Sequence, residues 1–138
     1  MFERRFLKEN IIRNELRNDI SGIIKSYLLN MEGTVFAYLH GSFVNSSKFR
    51  DIDIAIFIRK PTGEMELESD LSYELTEKTG YPVDVKVINK ASVAFQMSVL
   101  RDGKLILSRD DIIRTDFIED VGERYREYVH FRNIVLRV

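Results

Sequence analysis

The sequence predicts an α/β domain: a small mixed β-sheet packed with helices, with long helices near both ends. Three observations carry this. Short β-branched segments alternate with longer amphipathic ones. Both prolines, Pro61 and Pro82, fall between such segments. The length of 138 residues, with 44% hydrophobic and 31% charged, suits one compact domain spanning residues 1–138.

The elements follow in order. From about Phe2 to Leu29, apolar residues including Phe6, Ile11, Leu16, Ile20, Ile24 and Leu28 recur at steps of three and four, which predicts an amphipathic helix. After Gly33, TVFAYLH (Thr34–His40) is β-branched and aromatic and reads as a buried strand. DIDIAIFI (Asp51–Ile58) is a second strand. Ile52, Ile54, Ile56 and Ile58 fall on one face, and Asp51, Asp53, Ala55 and Phe57 on the other. Glu64 to Lys78 carries Met65, Leu67, Leu71 and Leu75 at helical spacing and is closed by Gly80. VDVKVIN (Val83–Asn89) is a third strand, with Asp84 and Lys86 on the face opposite its valines. Ala91 to Arg101 reads as a short helix ending before Gly103, and KLILS (Lys104–Ser108) as a fourth strand. Asp111 to about Leu136 is a long final helix with Ile113, Phe117, Val121, Tyr125 and Tyr128 along one stripe. Periodicity leaves the strand order open.

Composition narrows the function classes. With 21 basic against 22 acidic residues, the chain lacks the basic excess of a dedicated nucleic-acid binder. No cysteine is present, so neither a disulfide framework nor a thiolate metal site is expected. Two histidines, His40 and His130, do not make a zinc site. The opening MFERRFLKEN is charged where a signal peptide needs an apolar core, and no apolar run approaches a membrane span. The expectation is a soluble cytoplasmic protein with no membrane partner.

The chemistry concentrates in GSFVNSSKFRDIDIAIFI (Gly41–Ile58). Residues i and i+2 of a strand share a face, about 6.5–7 Å apart at the backbone, so Asp51 and Asp53 can converge on a cation. Magnesium suits such a site, because it takes oxygen ligands and is held by few protein carboxylates plus substrate phosphates. Asp84 opens another strand in the same way. If the two strands are neighbours, three carboxylates cluster, an arrangement strongly disfavoured without a cation unless solvated or protonated. Solvated acids capping a turn are the plainer alternative. Gly41-Ser42, directly after a strand, favours the first reading: glycine lets backbone approach a ligand, backbone N–H groups at such a turn attract phosphate, and Ser42 either adds a hydroxyl or caps the next helix.

Strand, Gly-Ser, spacer, Asp-x-Asp strand and a third acid together resemble the minimal nucleotidyltransferase (MNT) family, within the DNA polymerase β-like nucleotidyltransferase superfamily. Gly41 and Ser42 match the Gly-Ser, Asp51 and Asp53 the Asp-x-Asp, and Asp84 in PVDVKVI the third acid. The segment LRDGKLILSRDDIIRTDFIEDVGERYREY also resembles the C-terminal part of the family's antitoxin branch. The spacer departs from the family pattern: FVNSSKFR is short, and FVNSS replaces a small-basic-Gly segment.

The resemblance implies a nucleotidyltransferase fold and a Mg2+-dependent enzyme with ATP as substrate. Asp51, Asp53 and Asp84 would be the catalytic, metal-holding acids, and Gly41 and Ser42 would hold the terminal phosphates. It further implies an antitoxin that transfers AMP to a tyrosine of a cognate HEPN-domain ribonuclease toxin. The alternative is a non-catalytic antitoxin of the same fold that neutralises its partner by contact. Transfer to RNA or a small molecule is a third possibility; the neutral charge weighs against RNA, and 138 residues leave little room for a separate substrate domain. His40, at a strand end, reads as a structural hydrogen-bonder. Lys86, on the Asp84 face, pairs with a carboxylate or a phosphate.

Overall fold

The computed structural model describes residues 10–11 and 14–137. The elements are β1 (Asn10–Ile11), α1 (Asn14–Leu29), β2 (Thr34–His40), α2 (Ser42–Asn45), β3 (Lys48–Phe49), β4 (Ile52–Ile58), α3 (Glu64–Thr79), β5 (Val83–Val87), α4 (Val93–Asp102), β6 (Lys104–Ser108) and α5 (Asp111–Leu136). Four strands form a mixed sheet in the order β5-β4-β2-β6. β2 runs antiparallel to both β4 and β6, and β5 runs parallel to β4, reached through α3. The sheet is thus mixed, as the sequence predicts.

Two apolar clusters lie on the two faces of this sheet. One joins the isoleucines of β4 and the valines of β5 to Ile20, Ile24 and Leu28 of α1 and Leu71 and Leu75 of α3. The other joins Phe36, Tyr38 and Ala55 to Val99 of α4 and Phe117 and Val121 of α5. The alternation along β4 therefore does not separate core from solvent. Its isoleucines meet α1 and α3, while Ala55 and Phe57 meet the second cluster. Asp53 shares this second face but lies at the strand's start.

The edge strand β5 is finished by side chains of α3. Thr76 Oγ1 accepts from Val83 N (3.0 Å), Ser72 Oγ from Val85 N (2.9 Å) and Glu68 Oε2 from Val87 N (2.7 Å). Four residues of helix rise about 6 Å and two of strand about 6.6 Å, so every fourth side chain meets every second amide.

Several boundaries differ from the sequence reading. The predicted first helix starts at Asn14: Asn10–Ile11 pair with Lys48–Phe49 as a small second sheet, and residues 2–9 of the predicted span lie outside the described residues. β5 ends at Val87 because Asn89 substitutes its amide for backbone, accepting from Ile58 N (2.9 Å) and donating to Ile58 O (2.8 Å). α4 starts at Val93, capped by Ser92, whose hydroxyl accepts from Phe95 N. In α5 the buried stripe is short: Phe117 and Val121 are buried, whereas Tyr128 is exposed. No described helix is long and apolar enough to cross a membrane.

Candidate active site

The turn after β2 is built around Gly41. Its φ of 78° and ψ of −159° lie in a region open essentially to glycine alone. Its carbonyl accepts from Val44 N and Asn45 N (both 3.1 Å), closing the single turn of α2. Gly41 itself takes the cap position. Ser42 is the first helical residue, so the capping role considered for it falls to the glycine backbone. A Cβ on Gly41 would run into Asp53 Oδ2, so the absent side chain is what lets the turn lie against that carboxylate.

The spacer is held by two aromatic anchors. Phe43 and Phe49 are both buried and meet edge-to-face at 4.9 Å, and Phe49 leans on Tyr81 at 5.4 Å. The intervening polar residues turn outward. Ser42, Ser46, Lys48, Phe49, Arg50 and Asp51 line a recess of about 340 Å³. Lys48 and Arg50 are basic groups that sequence reasoning did not single out. The signal was present in SSKFR: a buried Phe49 turns its two neighbours away from the core.

Asp51 and Asp84 both lie within electrostatic reach of Asp53. Asp53 and Asp84 are direct partners in the parallel β4–β5 register, and partners in register share a face. Asp51 immediately precedes β4. Burial pushes the Asp53 carboxyl up to about 6, and the negative charges of Asp51 and Asp84 add to the rise. Lys86 pulls it the other way and lies 3.8 Å from Asp84 in an exposed pair. Among the described residues, no three His, Asp or Glu side chains are gathered closely enough to hold a metal ion by themselves. That is compatible with magnesium, which binds through one or two carboxylates and completes its shell with water and phosphate oxygens. A carboxyl raised by burial, with two neighbouring acids adding to the rise, is also where a divalent cation is electrostatically favoured.

His40 belongs to this site more closely than its sequence position suggested. It pairs with Asp53 across β2 and β4, its Nε2 is buried with no hydrogen-bond partner, and its ring meets Phe95 edge-to-face at 5.4 Å. Burial lowers its pKa, while Asp84 acts in the opposite direction. The structural hydrogen bond expected of it is not made by Nε2.

Residues 23–112 match the family described as Polymerase beta, Nucleotidyltransferase. The chain belongs to this family. No curated protein matches it. Solved structures similar to it in fold include toxin–antitoxin complexes. One is a crystal structure of the toxin–antitoxin MntA-HepT: TM-score 0.66, 20% identity, covering 90% of this chain and 96% of the other. A second is a tri-AMPylated Shewanella oneidensis HEPN toxin in complex with MNT antitoxin: TM-score 0.68, 18% identity, 84% and 95% covered. A third is a toxin–antitoxin with AMP-PNP: TM-score 0.70, 20% identity, 87% and 94% covered. The chain thus has a nucleotidyltransferase fold along nearly the whole length of these relatives.

Proposed function

We propose that this nucleotidyltransferase-family chain is an MNT antitoxin that transfers AMP from ATP to a tyrosine of a HEPN toxin, with Mg2+ as cofactor. The observation that carries the reading is the register of Asp53 with Asp84 on the face reached by the Gly41 turn. The fold-level similarity to a complex with AMP-PNP and to one with an AMPylated HEPN toxin supports the nucleotide and the partner.

In this reading Asp51, Asp53 and Asp84 hold the metal and are the catalytic acids. Bound there, Mg2+ would neutralise charge on the phosphates and orient them for in-line displacement. The backbone at Gly41 and the Ser42 hydroxyl would take the terminal phosphates, with Ser46, Lys48 and Arg50 of the recess that Ser42 lines as further donors. Two cations there supply what the spacer lacks in the small-basic-Gly segment. Catalysis of this kind rests on positioning and charge neutralisation more than on covalent help.

The test is mass detection of AMP on a co-expressed HEPN protein. Asp53→Asn is expected to abolish the added mass and the Mg2+-dependent binding of AMP-PNP in calorimetry. The loosely gathered acids favour one other reading, a non-catalytic antitoxin acting by contact. Neutralisation by Asp53→Asn at wild-type level, with no AMP ever added by the wild-type chain, would establish it.

A further inference from the structure

A groove of about 520 Å³ opens beside Asp84, between the start of α3, the end of β5 and the start of α4. Met65, Glu68, Lys86, Lys90, Ser92 and Phe95 are among its lining residues. It adjoins the acid site on two sides. Phe95 forms part of its wall and also meets His40, the cross-strand partner of Asp53. Lys86 lies two residues beyond Asp84 on the same strand face.

We propose that this groove is the acceptor subsite, and that it receives the phenolic side chain of the protein being modified. The inference rests on the nucleotidyltransferase reading and adds the direction of attack. The recess at Ser42, Lys48 and Arg50 lies ahead of the start of β4. The groove lies past Asp84 along the parallel strand β5. Asp51 lines the recess, and Asp53 and Asp84 follow it along the parallel strands toward the groove. In an in-line displacement the nucleophile enters opposite the leaving group. Pyrophosphate held toward Ser42 and Arg50 therefore requires the attacking hydroxyl on the side of the groove. The acceptor oxygen forms the new bond to the α-phosphorus. The bond to pyrophosphate breaks and its electron pair leaves with the pyrophosphate. The hydroxyl proton goes to solvent at the groove mouth.

The lining suits a phenol. Phe95 and Met65 offer an aromatic ring and a thioether, both good partners for an aromatic side chain. The ammonium groups of Lys86 and Lys90 favour the negative charge that develops on a phenolic oxygen. Glu64 and Glu68 also line the groove and oppose this, Glu68 being held against the strand by the bond it accepts from Val87 N. Met65 is 82% exposed, so the outer lip is open to a segment of another protein.

The experiment uses the full chain with a co-expressed HEPN protein and the double variant Met65→Asp/Lys90→Glu. AMP-PNP affinity, measured by calorimetry with Mg2+, is expected to stay at the wild-type value. kcat/KM for the HEPN protein is expected to fall at least about tenfold, from the lost Met65 contact and from the Lys90 charge that favours the developing phenolate. Unchanged transfer kinetics overturn the proposal. So does a comparable loss of AMP-PNP affinity, which would assign the groove to the nucleotide. A photo-crosslinker at Met65 gives a readout independent of activity. Attachment to the HEPN protein is expected, and none on a complex that forms normally overturns the groove. Absence of AMP transfer by the wild-type chain, with the crosslink present, removes the enzyme reading and leaves the contact in place.

Discussion

At the scale of single residues, the site depends on a side chain that is missing and on a carboxyl that resists ionisation. Gly41→Ala would put a methyl group against Asp53 Oδ2 from a backbone conformation that alanine strongly disfavours. It is expected to cost about 1–3 kcal/mol in chemical denaturation and to displace Asp53, removing AMP-PNP binding. Asp53 itself works against the empty fold. Its folded pKa of about 6 exceeds the ordinary 3.8, so the folded state binds the proton more tightly than the unfolded one. Below pH about 4 both states are protonated and nothing is lost. Between about 4 and 6 the unfolded chain ionises first, and stability falls as pH rises. Asp53→Asn in EDTA is therefore expected to raise Tm above pH about 6, with the gain gone below pH about 4. A pH-independent effect would contradict this. The acids and the Gly-Ser pair were legible in the sequence because their spacing is chemical. His40 was not, since its importance arises from a cross-strand neighbour and from Phe95, 55 positions away in a later helix.

At the scale of elements, strands and helices with a clear period were legible, and pieces without one were not. β2, β4 and β6 follow their β-branched runs closely. β1 and β3 are two residues each, too short to show any alternation. The Ile11-Ile12 pair fits a helical stripe, but Asn10 and Ile11 pair with Phe49 and Lys48, and the tertiary contact wins over the local pattern. The match between α3 and β5 is equally invisible in sequence, because Glu68, Ser72 and Thr76 read as an ordinary polar helix face. Ser72→Ala would leave the amide of fully buried Val85 without its partner. The expected loss is about 1–3 kcal/mol in urea unfolding, against little change for Ser69→Ala, which has no such role among the described hydrogen bonds.

At the scale of the whole molecule, the sheet is covered on both faces, but Asp51 and Asp84 stay exposed and Asp53 half-buried because they sit where β4 and β5 begin. That one face would hold both an aromatic cluster and the carboxylates was foreshadowed by the order Asp53, Ala55, Phe57. Which strand would stand beside β4 was not, since parallel and antiparallel neighbours leave the same alternation. The outer half of α5 contributes little to this body: Phe131 is 66% and Leu136 70% exposed. Phe131→Ser is expected to shift stability by no more than about 0.5 kcal/mol in a thermal melt.

The polar row of α3 has one more effect, on how large molecules can reach the acids. A rim whose outward N–H groups are already taken offers a visiting strand only carbonyl acceptors, which disfavours extending the sheet next to Asp84. A macromolecule that comes to the carboxylates is better served there by a projecting side chain than by an added strand.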